Sequence, residues 1–151
     1  MRSTIMGVVV IAVMIEIGAA AASIGAQKVV DDVAARHPEI TMLEVLAARS
    51  ESDPCRTIAS TDPREVGRKC DEDALALMKG DKIAVDKEKE GFDVALPLHD
   101  GSGAVIALAG MTFKPTPGQS RAAVVRQAQQ IAAELEKRVT SRRQLFEPPH
   151  R

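Results

Sequence analysis

Two apolar runs, residues 92–99 and 104–113, flank the tetrapeptide Asp100-Gly101-Ser102-Gly103. A linker that short leaves no room for a crossover, so the two runs must pair antiparallel as a hairpin. The rest of the chain has to be arranged around an antiparallel sheet. Pro115 and Pro117 follow the second run and end it, because proline has no N–H to give to the ladder.

The other segments separate by hydrophobic period. Residues 27–36 set Val29, Val30, Val33 and Ala34 on one helical stripe, which His37-Pro38 stops. Residues 40–47 and 55–60 read as strands, parted by the turn Glu51-Ser52-Asp53-Pro54 and followed by a loop on Asp62-Pro63 and Gly67. Asp71, Glu72 and Asp73 open a short helix carried by Ala74, Leu75, Leu77 and Met78 and ended by Gly80. Acids at that end cap free N–H groups and complement the helix dipole. Capping accounts for them without a divalent cation, since EF-hand spacing is absent. Residues 82–90, with the apolar centre Ile83-Ala84-Val85, read as an edge strand, and residues 120–139 as the longest helix, with Val124, Ala128, Ile131, Leu135 and Val139 at helical spacing. The predicted architecture is an α+β domain: an antiparallel sheet of about five strands with the long helices on one face and the short helix over the other.

The N-terminus predicts export. Arg2 precedes an apolar run over residues 5–15 that is too short to span a bilayer, and small residues follow from Gly18 to Ser23. Ala20-Ala21-Ala22 and Ile24-Gly25-Ala26 are two cleavage sites of the A-x-A kind; Glu16 interrupts the pattern and also makes the segment a poor membrane anchor. The expected division is a signal peptide over residues 1–26, a domain over 27–140 and a basic, proline-rich tail over 141–151. The mature chain is expected in the periplasm or secreted, with no membrane span. In such a compartment Cys55 and Cys70 are expected to form a disulfide, closing a loop of about sixteen residues worth roughly 3 kcal/mol in the chain-entropy picture. No C-x-x-C or H-x-x-x-H spacing occurs, so neither a metal nor a cofactor is expected.

Composition removes further classes. Twenty Lys and Arg stand against 21 Asp and Glu, which leaves no electrostatic footprint for nucleic acid. With three Phe and neither Tyr nor Trp, the chain has almost nothing on which a base or sugar ring can stack.

Two blocks of residues carry a family likeness. Thr57-Ile58-Ala59-Ser60, followed by Asp62-Pro63 and Val66-Gly67, leads into the acidic short helix; Val94-Ala95-Leu96-Pro97-Leu98-His99-Asp100-Gly101-Ser102-Gly103 continues through Val105-Ile106-Ala107. Together they resemble the Cache family, the PAS-like extracellular sensor domains of bacterial receptors, over residues 29–139. Ala107 stands where that family often has glycine. The resemblance implies a PAS-like fold and small-molecule binding. Because a Cache receptor normally continues into a transmembrane helix and an output module, this chain is expected to be a free-standing binding domain.

Strand alternation sorts Thr57, Ala59, Asp93, Ala95, Gly110 and Thr112 into a small and polar set, and Ile58, Val94, Leu96, Val105 and Met111 into a large apolar set suited to packing under the long helices. Thr57, Asp93 and Thr112 are thereby the predicted ligand-binding residues. Glu44, amid apolar strand residues, either faces solvent or points into a pocket with a raised pKa. The expected function is non-catalytic binding of a small polar, non-aromatic metabolite, an organic acid or an amino acid. Two alternatives stand beside it. One is an interaction module that binds an envelope receptor protein or a second copy of itself. The other is a small hydrolase around His99 and Asp100, which lacks a G-x-S-x-G nucleophile motif. Protein recovered after export should have an intact mass beginning at Ser23 or Gln27; a full-length mass in the membrane fraction would overturn the export reading.

Overall fold

The computed structural model describes residues 24–89 and 91–148. Readings that fall on residues 1–23, the signal peptide and cleavage after Ala22 among them, lie outside the described residues. The elements run α1 (Ile24–Ala35), β1 (Ile40–Ala47), β2 (Arg56–Ser60), α2 (Glu72–Gly80), β3 (Ala84–Glu88), β4 (Gly91–His99), β5 (Val105–Phe113), α3 (Arg121–Arg138) and α4 (Arg142–Leu145). One five-stranded sheet has the order β2-β1-β5-β4-β3, every neighbouring pair antiparallel. The predicted hairpin is its centre: β4 pairs with β5 from Phe92↔Phe113 to His99↔Val105. Asp100 ties the turn together, its Oδ1 accepting from the Ser102 and Ala104 amides at 2.8 and 3.0 Å and from the Ser102 hydroxyl at 2.6 Å.

The two faces are covered unequally. Leu43, Val94, Met111 and Phe113 of the sheet are buried against Val30 and Val33 of α1 and Val124, Ile131 and Leu135 of α3. Burial of such side chains stabilises the fold by about 1.5–3 kcal/mol each. Ile58, Val94, Leu96 and Met111 of the predicted apolar set join this core, while Val105 stays half-buried. Opposite, α2 covers a smaller cluster of Leu46, Ala74 and Leu108, with Cys55, Cys70, Leu77, Met78 and Ala95 packed against it.

Three local features depart from the sequence reading. The α1 helix begins before Gln27, and Ala26 is buried. A Cβ on Gly25 would lie 2.1 Å from the Glu147 carbonyl oxygen, so the helix start seats directly on the C-terminal segment. The segment read as a tail supplies that seat: Ser141 caps α4 and Leu145 enters the core, an apolar contribution masked by the basic residues around it. At the end of α2, Asp81 rather than Gly80 takes the left-handed conformation, with φ 50°. Non-glycine residues seldom adopt it; here the Asp81 carboxylate receives His99 Nε2 at 2.7 Å.

Cys55 and Cys70 form the expected disulfide, their Cα atoms 5.4 Å apart. It fastens the start of β2 to the residue preceding the α2 cap. Alkylation of the native protein without reductant should label neither cysteine. Cys55→Ser should cost about 3 kcal/mol in a urea titration, with hydrogen exchange rising first over residues 71–80.

Candidate functional site

Between α2 and the sheet lies a cavity of about 510 Å³. Its floor is made by Leu46, Ala84, Ala95, Leu108 and Gly110, and its wall by Ala74, Ala76 and Leu77. Four carboxylates complete the lining: Glu44 from β1, Asp71 and Asp73 from the start of α2, and Asp86 from β3. The room exists because the sheet residues opposite α2 are small. Ala84 pairs with Ala95, Ala95 with Gly110, and Gly110 with Glu44, so one row across four strands carries a single large side chain.

That side chain is Glu44, and Gly110 is what accommodates it. A Cβ at position 110 would meet Glu44 Oε1 at 2.9 Å and Cγ at 3.0 Å. Glu44 Oε2 is shut off from solvent with no hydrogen-bond partner among the described residues. Burial raises the Glu44 pKa; Glu65, Asp71 and Asp93 push it the same way, against a partial offset from Arg68. Of the two readings open for this residue, the structure shows the pocket-facing one. Asp71 has a structural duty as well, its Oδ1 capping α2 through the Ala74 amide at 2.8 Å.

The predicted ligand residues do not gather at one place. Asp93 is exposed on β4 and sits opposite both Thr112 and Asp86, two residues along the strand from Ala95. It therefore stands at the rim of the α2-side cavity. Thr112 is half-buried beside it. Thr57 is buried and lines a second cavity of about 400 Å³, with Arg49, Arg56, Val66 and Phe146 among its neighbours. The separation follows from the strand order, with Thr57 on the edge strand β2 and Thr112 and Asp93 on β5 and β4; a bulge on β2 moves Ala59 as well. Val45 pairs with Ala59 but Leu46 with Thr57, which leaves Ile58 as an extra residue on β2. An inserted residue resets the alternation, and Ala59 turns into the α1-side core. Asp86 was missed by sequence reasoning, although its period-two relation to Ala84 puts both on one face.

The hydrolase candidate also separates. Asp100 is engaged in the turn and does not orient His99. His99 lies between two other carboxylates, with Nδ1 2.9 Å from Glu136 and Nε2 2.7 Å from Asp81. Its backbone amide also donates to Glu136, at 2.9 Å. His37 repeats the arrangement between Glu39, at 2.9 Å, and Glu134, at 2.8 Å. Each histidine thus fastens α3 to the rest of the fold.

No protein-family model matches the sequence, and no curated protein does. Solved structures match by shape. A protein from Burkholderia vietnamiensis described as a GAF sensor aligns with a TM-score of 0.55 at 8% identity, over 76% of this chain and 74% of that one. A GAF domain/HD domain protein from Geobacter sulfurreducens gives 0.53 at 11% identity, over 73% and 89%. The GAF domain of an Acinetobacter phosphoenolpyruvate-protein phosphotransferase gives 0.50 at 13%, over 78% and 85%. The fold is GAF-like.

An imidazole donates to two carboxylates only when it is protonated, so the histidine clamps carry a pH dependence. For His99, the Glu136 bond is the main influence, and with Asp81 it raises the pKa against desolvation. For His37, desolvation is the largest influence and lowers the pKa, but Glu39 and Glu134 together outweigh it and the net shift is upward. A raised folded-state pKa means stability that is fully present below the unfolded value of about 6.5 and lost as pH rises through the folded one. Urea titrations at about pH 6 and pH 8.5 should show the wild type losing stability. The double variant His37→Gln, His99→Gln should show a flatter dependence. Solvent at the exposed Asp81 limits the difference to about 1 kcal/mol.

Proposed function

We propose that this chain is a non-catalytic small-molecule-binding domain working outside the cytoplasm, and that the α2-side cavity holds a small polar metabolite. One observation carries the reading: an apolar floor, opened by Ala84, Ala95 and Gly110, beneath a rim of carboxylates of which Glu44 is the most enclosed. Ligand sites combine these traits, a mostly apolar cleft with a few placed polar groups. The GAF-like fold supports it, since domains of this shape include one described as a sensor. The finer Cache assignment rests on the two sequence blocks. The disulfide is compatible with an oxidising compartment, and among the described residues no helix is long and apolar enough to cross a membrane. The carboxylate partners of His99 and the turn duty of Asp100 support binding over hydrolysis.

The interaction-module reading has its own observation. Leu75 on α2 and Ile83 just before β3 are large apolar side chains exposed at 46% and 41%. They offer a small contact for an envelope protein or a second copy.

A thermal-shift screen of amino acids, organic acids, amines and nucleobases tests the binding reading. A compound at one hundred times its Kd should stabilise the fold by about 2.7 kcal/mol, several degrees in a domain this size. The shift should vanish in Ala95→Leu, which fills the floor, and persist in Thr57→Val. A shift lost only in Thr57→Val would move the site to the β2-side cavity. No shift from any class would leave the interaction module as the better reading.

A further inference from the structure

Independently of the α2-side cavity, we propose that the cavity beside β2 is a second binding site, for a small organic monoanion: one carboxylate on a short apolar body. This cavity, of about 400 Å³, opens at the end of the β1–β2 hairpin and falls in the size range of small-molecule sites. Arg49, from the loop after β1, and Arg56, the first residue of β2, both line it. Among the described residues Asp53 is the one acid in the lining, and it accepts from the Ser50 hydroxyl at 2.9 Å. Two guanidiniums against one carboxylate leave the lining with a single excess positive charge, which matches a monoanion. Among the described residues, neither arginine forms a salt bridge.

Both guanidiniums are held in place without being neutralised. Arg56 is half-buried, and its Nη1 donates to the Gly67 carbonyl at 2.9 Å, a neutral partner that leaves its charge uncompensated. Arg49 is exposed and lies over the Phe146 ring, 5.2 Å from its centroid. Planar forks fixed in this way lose little freedom on taking a carboxylate. The enclosed member of the site is Thr57. It is 4% exposed, it lines the same cavity, and its hydroxyl has no hydrogen-bond partner among the described residues. A threonine hydroxyl can donate to a ligand oxygen. Ala47, Pro54, Ile58 and Val66 supply an apolar remainder that suits an alkyl body. An amine would enter against the two guanidiniums, and an uncharged ligand would leave them without a counter-charge.

The test uses the full chain as purified and three probes of one length: pentanoate, pentanol and pentylamine. Each is titrated while the amide resonances of Thr57, Gly67 and Phe146 are followed, with those of Ala95 and Gly110 reporting on the α2-side cavity. Pentanoate should move the first set to saturation and leave the second in place. It should bind about tenfold more weakly, or worse, to Arg49→Gln and to Arg56→Gln, the loss expected for one charge-assisted hydrogen bond. Thr57→Val should weaken it by about threefold, as for a neutral hydrogen bond. Unchanged amide dispersion verifies folding, and Arg49→Gln, at an exposed position, keeps the test decisive if Arg56→Gln does not fold. Pentanol or pentylamine binding as tightly as pentanoate would overturn the assignment of an anion. Pentanoate binding that is indifferent to both arginines would overturn it too. If pentanoate moves only Ala95 and Gly110, or moves nothing, the site beside β2 is refuted, and the α2-side reading is judged separately by its own screen.

Discussion

The structure turns on a mismatch between the width of a sheet and the length of one helix. Five antiparallel strands at about 4.8 Å spacing make a surface roughly 20 Å across. On one face, the 12-residue α1 and the 18-residue α3 cover it with large apolar side chains. The other face has α2, whose 9 residues extend only about 13 Å. A single short helix cannot seal that face, and large residues beneath it would be left in water. The sequence confines the large residues there to Leu46 and Leu108, which α2 does cover, and sets Ala84, Ala95 and Gly110 beside them. Small residues under a short cover leave a cavity, whereas large residues under a long cover leave a core.

Much of this was readable in advance, for definable reasons. The β4–β5 hairpin was legible because four turn residues admit one kind of pairing. The α3 helix was legible because its buried residues repeat at helical spacing over 18 residues. The cysteines were legible because an even pair, in a chain whose N-terminus reads as an export signal, has few other uses. What escaped was set by tertiary context. A period-two pattern has no mark for an inserted residue, so Thr57 and Ala59 were assigned to one face, and the bulge at Ile58 separates them. Leu145 was lost among arginines, because a four-residue helix is too short to display a period.

The candidate site shows the same division. Glu44 stood out in the sequence as a charge in an apolar strand, yet alternation alone left two faces open to it. The missing information was the identity of its cross-strand neighbour. Gly110 pairs with Glu44, and the absent side chain there makes the space for the carboxyl. Pairing partners depend on sheet order, and β1 lies beside β5 although more than fifty residues separate them in the chain. Asp86 and Asp93 met across the ladder for the same reason, through a register that neither segment discloses alone.

The cover over the cavity is secured at its two ends. At the start of α2, Cys70 is bonded to Cys55, and the next residue, Asp71, caps the helix. At its end, Asp81 is held by His99, which is held in turn by Glu136 of α3. Between these anchors Ala74 is the buried residue of the helix, and Leu75 points outward. Ala74, Leu77 and Met78 pack on Leu46, Leu108 and Ala95 of the sheet, so this small cluster and the two anchors hold α2 together. The anchors differ in chemistry: a covalent bond answers to redox conditions, and a doubly hydrogen-bonded imidazole answers to pH. A neutral imidazole keeps one N–H donor, so a rise in pH leaves His99 able to donate to only one of Asp81 and Glu136, while the N-terminal end of α2 stays tied to β2. The carboxylates of that tied end, Asp71 and Asp73, then remain over the cavity with Glu44 beneath them. The helix's own acids therefore stand at its disulfide end, whereas its histidine end carries the pH-sensitive contact.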